Sequence, residues 1–107
     1  MAKTKVIWTA TARENLETIG DYIAEDSPAR AVDFSQRLFD STVQLEDFPE
    51  SGTECQEDPT CRQIVVEGYR IIYELSDEKI DVLAVISPGQ DADRILPIQK
   101  KVRAKIK

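Results

Sequence analysis

Residues 61–75, Cys-Arg-Gln-Ile-Val-Val-Glu-Gly-Tyr-Arg-Ile-Ile-Tyr-Glu-Leu, constrain this chain more than any other stretch. Two β-prone apolar runs flank Glu67-Gly68, and glycine at the second loop position supplies the positive φ that a two-residue hairpin turn requires. Side chains alternate along a strand, so Arg70 falls on the opposite face from Tyr69, Ile71 and Tyr73. Extending that alternation puts Ile64, Val66, Tyr69, Ile71, Tyr73, Val82, Ala84 and Ile86 on one apolar face, expected to lie under helices. Gln63, Val65, Arg70, Ile72, Glu74, Asp81, Leu83 and Val85 are expected on the other. A guanidinium amid an apolar strand must reach water or a partner, because burying it alone is costly. The second face, with an aliphatic centre, one cation and a carboxylate edge, therefore has the composition of a macromolecule-binding surface. The alternative is that the C-terminal tail folds over it and Arg70 pairs with an acid.

The segments before the hairpin set the fold class. Lys5–Thr9 is short, β-prone and holds the tryptophan, Trp8, so it reads as a strand. A helix follows, opened by Thr11 with Glu14 three residues on, and Ala12, Leu16, Ile19 and Ile23 form its apolar stripe. Asp26-Ser27-Pro28 breaks it, with Ser27 placed to cap a second helix and Pro28 at that helix's first position. Ala31, Phe34, Leu38, Leu45 and Phe48 follow one face of the second helix, which Pro49 and Gly52 end. Residues 50–60 read as an acidic loop; its carboxylates lack the ligand spacing and fixed glycine of a calcium loop, so a solvated charge run is expected. Ser76–Lys79 turns the chain into a last strand, Ile80–Ile86, closed by Pro88-Gly89. The order β-α-α-β-β-β gives an α+β fold: an N-terminal strand and an antiparallel helical hairpin on one face of a mainly antiparallel sheet. One domain is expected over residues 1–93, followed by a basic tail, 94–107. In the tail Ile95, Ile98, Val102 and Ile106 keep an approximately helical spacing, with Pro97 the natural helix start.

Charge divides the same way. All 20 acids and eight of the 14 basic residues lie in residues 1–93, so the net charge of −6 splits into −12 there and +6 in the tail. An acidic body argues against general or sequence-specific nucleic-acid binding, which depends on neutralising phosphates. No apolar run is long enough to span a bilayer and no signal-peptide core opens the chain, so a cytoplasmic protein without membrane contact is expected. Cys55 and Cys61 then read as free thiols. Two cysteines with no histidine anywhere supply too few ligands for zinc, and no metal or cofactor is expected. The missing histidine also removes the commonest general base.

The ordered set of Trp8, Ala12, Leu16, Tyr22-Ile-Ala24, Ser27-Pro-Ala-Arg-Ala31, Pro49, Gly52 and Gly68-Tyr-Arg-Ile-Ile-Tyr73 resembles the RelE/ParE superfamily of bacterial toxins, over about residues 6–90. The resemblance implies a toxin of a type II toxin–antitoxin system, also known as plasmid stabilisation proteins, neutralised by a cognate antitoxin. The RelE-like branch cuts messenger RNA on the ribosome using basic residues of the open sheet face; the ParE-like branch poisons DNA gyrase. Arg70 fits the arginine of the Gly-Tyr-Arg motif, whereas the preceding strand offers Gln63 and Val65 where lysines are expected. These cannot supply cations to a phosphorane-like transition state. The chain therefore looks closer to the ParE-like branch, acting by binding and not as an enzyme. The segment after the last strand departs from that branch, with only a displaced Arg94 available. The alternatives are a RelE-like endoribonuclease, in which Arg70 is the catalytic candidate, and a non-toxic relative that only binds its antitoxin. Partner contacts are expected at Gln63, Val65, Arg70, Ile72, Leu83 and Val85, and in the tail at Arg94, Lys100, Lys101 and Arg103.

Overall fold

In a computed structural model the described residues are 4–89, and they form an α+β fold. Strand β1 (Lys5–Trp8) leads into helices α1 (Ala10–Ala24) and α2 (Pro28–Val43), and a single 3-10 turn spans Gln44–Glu46. Four strands follow: β2 (Thr53–Cys55), β3 (Asp58–Val66), β4 (Tyr69–Leu75) and β5 (Lys79–Ile86). The sheet order is β1-β5-β4-β3-β2, antiparallel throughout except for the parallel pair β1–β5. The helices cover one face, where Ala12, Ile19, Phe34 and Leu38 pack with Ile71, Val82 and Val85 in the main core. Trp8 stacks on Phe39 and its indole N–H donates to Thr42 Oγ1 at 3.2 Å, tying β1 to α2.

The helix starts follow from hydroxyl geometry. Ser27 caps α2 as expected, accepting from Arg30 N–H at 3.3 Å, with Pro28 at the first position. The cap of α1 is Thr9, not Thr11. Thr9 sits in extended backbone at the end of β1, where its hydroxyl accepts from Ala12 N–H at 3.2 Å and donates to the Val82 carbonyl at 2.8 Å. One side chain thus closes the helix end and anchors it to β5, a long-range role that the local pattern does not reveal.

Three expectations are corrected downstream. The second helix stops at Val43; Leu45 is buried from the 3-10 turn, whereas Phe48 is 67% exposed, because the change of pitch rotates the apolar stripe off the core. The segment 50–60 is not a free loop: it holds β2 and the start of β3, with Cys55 and Asp58 buried. The face assignment also fails beyond Leu83. Tyr73 pairs with Val82 and Ile72 with Ala84, so Leu83 is the extra residue of a β-bulge. Val82 and Val85 both reach the helix side, while Leu83, Ala84 and Ile86 join Ile72, Cys55 and Cys61 on the second face. Asn15 Oδ1 on α1 accepts from Val85 N–H at 3.1 Å beside the bulge.

The hairpin turn forms as expected, with Gly68 at φ 86°, and Glu67 also takes a positive φ of 52°. Both central residues in that region define the mirror-image turn that matches strand twist. Glu67 is clamped by Arg37 of α2 at 2.6 Å, so the turn is fastened to the helical layer.

Candidate functional site

The second sheet face is built on an apolar floor of Ile72, Leu83, Ala84 and Ile86, with Cys55 and Cys61, all of them buried. Arg70 rises at its rim, opposite Val65 on β3 and Ile86 on β5. Its guanidinium is not free. Nη2 and Nη1 donate to the Glu57 carboxylate at 2.7 and 3.0 Å, and Nε donates to Gln63 Oε1 at 2.8 Å. This two-pronged pairing holds Glu57 well below its ordinary value, at about 2, through the Arg70 hydrogen bonds against the cost of burial. The Cys55 thiol donates to Glu57 Oε1 at 3.2 Å, and the Cys61 thiol to Asp58 Oδ2 at 3.6 Å; both cysteines are free. Burial pushes the Cys61 thiol up to about 11.

Glu57 lies in the two-residue connection between β2 and β3, where Cys55 pairs with Asp58 and the register shifts at Glu54/Cys55. That hairpin folds the acidic segment back across the sheet and delivers the carboxylate to Arg70. Sequence reasoning missed Glu57 because no short-range pattern marks it; the usable signal was the cost of an unpaired cation on an apolar face with acids one hairpin away.

The predicted contact residues separate into groups. Gln63, Val65 and Arg70 come together at the rim, with Val65 60% exposed. Ile72 and Leu83 are buried in the floor, and Val85 lies beneath the helices, turned there by the bulge; none of the three presents a surface. Arg94, Lys100, Lys101 and Arg103 lie outside the described residues.

A second exposed feature lies elsewhere. An open groove of about 680 Å³ runs between α1 and α2, lined by Leu16, Gly20, Ala24, Ala31, Val32 and Phe39, with Glu17 and Asp21 along one wall. Val32 and Phe39 are 69% and 48% exposed. The aliphatic positions of both helices thus continue past the buried stripe onto the solvent side.

No group of three or more Cys, Asp or Glu side chains is arranged to hold a metal among the described residues. No helix among them is long and apolar enough to cross a membrane. Arg70 with Gln63 beside it is a neutralised cation, able to hold a carboxylate but carrying no spare charge toward a phosphate.

The family described as "ParE toxin of type II toxin-antitoxin system, parDE" matches residues 6–92. The chain belongs to this ParE toxin family. A protein of Sinorhizobium fredii named "Putative toxin Y4kP" is 29% identical over 98 residues, spanning 90% of this chain and all of that protein. The fold is shared with a chain of the chromosomal ParDE toxin–antitoxin system of P. aeruginosa, at TM-score 0.71 and 18% identity, over 81% of this chain and 98% of that one. It is shared more loosely with a chain of the RelBE2 toxin–antitoxin complex of Mycobacterium tuberculosis, at TM-score 0.54 and 22% identity, over 81% and 99%. Within this ParE-family fold the Gly-Tyr-Arg-Ile-Ile-Tyr stretch has a structural meaning. Gly68 makes the turn, Tyr69 packs edge-on against Phe34 at 4.7 Å, and Tyr73 is buried to its hydroxyl.

Proposed function

We propose that this chain is a toxin that acts by binding, with DNA gyrase as its target and a cognate antitoxin as its partner in the cytoplasm. One observation carries the choice of binding over chemistry: Arg70, the guanidinium at the rim of the second face, is already matched by Glu57. Its neighbours Gln63 and Val65 are uncharged, and Lys79 farther along the same face pairs with Asp81 at 3.7 Å, so the rim around Arg70 lacks the surplus positive charge that stabilises a phosphoryl-transfer transition state. Binding needs no such surplus. The family match over residues 6–92 supports the toxin reading, and the structural relatives, chains of the ParDE and RelBE2 toxin–antitoxin systems, motivate the antitoxin.

The antitoxin lays the apolar side of an amphipathic helix into the α1–α2 groove, where Val32 and Phe39 are exposed, and reaches the rim at Gln63, Val65 and Arg70. The basic tail, with Arg94, Lys100, Lys101 and Arg103, takes acidic segments of the same partner. Purified gyrase, assayed for supercoiling with rising amounts of the protein, should lose activity, and added antitoxin should restore it. Unchanged supercoiling at a large excess removes gyrase as the target. Message cuts in translating extracts that disappear in Arg70→Ala would transfer the reading to the endoribonuclease branch.

A further inference from the structure

We propose that the groove between α1 and α2 seats this chain's own basic tail, with residues 98–107 docking there as a short amphipathic helix. The small side chains of Gly20, Ala24 and Ala31 line the groove, and Val32 and Phe39 stand exposed along it. Small residues on two neighbouring helices let the apolar ridge of a third approach closely.

Charge selects the occupant. The α1 wall carries Glu17 and Asp21, both exposed and one helical turn apart, and no Lys or Arg stands among the described residues that line the groove. A second copy using the same face would gather the carboxylates of both chains in one interface, a like-charge contact that costs free energy. A basic segment with an apolar ridge fits instead, and the chain carries one. Residues 94–107 hold six basic residues and no acid, against a net −12 over residues 1–93. On a helical spacing from Pro97, Ile98, Val102 and Ile106 form a ridge. Lys101 and Lys105 share one flank of it, four residues apart, and so match the Glu17–Asp21 step on α1.

The reach is sufficient. The described chain ends at Gly89, just past β5, and Val85 N–H is bonded to Asn15 of α1 at 3.1 Å, so the tail departs beside that helix. Helical spacing puts Asn15 and the groove on opposite flanks of α1, a path of roughly 16–19 Å around a helix about 10–12 Å across. Residues 90–97 span up to about 26–29 Å when extended. A helix over 98–107 covers about 15 Å, against about 12 Å along α1 from Leu16 to Ala24. A partner helix bound for this groove must first displace the tail, so the free chain carries its own competitor. Displacement then frees Lys100, Lys101 and Arg103 for acidic segments of that partner. The contact itself needs neither gyrase nor an antitoxin, so its failure and theirs are separate results.

The test uses the full chain, isotope-labelled for NMR and carrying a nitroxide on Ala104→Cys, a position opposite the ridge. Cys55 and Cys61 are buried, and mass spectrometry confirms a single label on the tail. Paramagnetic broadening should be strongest at the amides of Gly20, Ala24 and Val32 and weak at Val65 on the second sheet face. Reversing the exposed wall with Glu17→Lys and Asp21→Lys should cut that broadening at least about threefold. Adding Lys101→Glu and Lys105→Glu should restore it, which mere damage to α1 would not allow. Absent or uniform broadening overturns the proposal, as does a charge swap that fails to restore it. Broadening centred on Val65 and Arg70 instead assigns the tail to the sheet and overturns it too. So does broadening that passes to isotope-labelled chains without nitroxide when the two are mixed, because the occupant is then a second copy.

Discussion

Replacing Tyr73 by phenylalanine isolates one oxygen atom at the centre of the fold. The side chain is fully buried; its hydroxyl accepts from Gly52 N–H at 3.1 Å and donates to the Pro49 carbonyl at 2.9 Å. These contacts hold the Pro49–Gly52 connection, which carries the chain from α2 to β2, against the middle of the sheet. Phenylalanine keeps the ring and removes both bonds, at roughly 0.5–1.5 kcal/mol each, and leaves a buried N–H whose desolvation adds about 1–3 kcal/mol. The total comes to about 2–6 kcal/mol. With an unfolding entropy of roughly 2.1 cal/mol/K per residue, a chain of 107 residues should lose about 9–27 °C in Tm. Urea unfolding followed by Trp8 fluorescence and circular dichroism gives the free energy directly. A loss below about 1 kcal/mol with an unchanged denaturant slope would refute the reasoning. A second signature is alkaline. Burial holds the Tyr73 phenol above its ordinary 10.0, so its share of stability is complete below that value and falls as pH rises through the folded one. The phenylalanine variant should lack that alkaline limb.

Gly52→Ala should destabilise by a different route, since a methyl there meets the Gln63 carbonyl and the Tyr73 hydroxyl at 2.6 Å each; in the Tyr73→Phe background its cost, from urea midpoints, should shrink but not vanish. Glu57, held at about 2 against an ordinary 4.5, stabilises the fold fully above pH 4.5 and less as pH falls toward 2. Glu57→Gln should flatten acid unfolding across that window, and an identical acid curve would count against the ion pair. Asn15→Ala leaves the Val85 N–H without its acceptor beside the bulge and should cost about 1–3 kcal/mol in the same urea assay. Val32→Glu, at a 69% exposed groove position, should leave Tm unchanged yet weaken antitoxin capture at least about tenfold by calorimetry; unaltered affinity would move the partner off the groove.

What the sequence made legible was local. The Gly68 turn, the Ser27-Pro28 helix start and the Ala12-Leu16-Ile19-Ile23 stripe each depend on neighbours a few residues away, and each is found where the pattern puts it. The failures are long-range. Thr9 outcompetes Thr11 as a cap because β5 offers its hydroxyl a second partner at 2.8 Å. Leu83 bulges without a glycine to announce it, because the insertion is stabilised by Asn15 from another element. Glu57 reads as one acid in an acidic run until the hairpin brings it to Arg70. The site suffered more than the fold for this reason, since a strand's face reverses with a single inserted residue while its place in the sheet does not.

The bulge also bears on what the second face can do. By sending Val85 to the helices and Ala84 and Ile86 the other way, it puts an aliphatic floor beneath Arg70, with Ile86 directly opposite. An arginine on such a floor is poorly hydrated and holds its counter-ion firmly, and here that counter-ion is Glu57. A phosphate seeking Arg70 must first detach a carboxylate bound by charge-assisted hydrogen bonds worth on the order of 1.5–3 kcal/mol, then approach past Glu57 itself. A protein partner faces no such barrier. It can accept the neutral Arg70–Glu57 pair as it stands and gain from Val65 and the apolar groove instead. Arg70→Ala and Glu57→Ala should therefore affect partner affinity alike, through shape, whereas an anion-seeking partner would lose binding only in Arg70→Ala and gain it in Glu57→Ala.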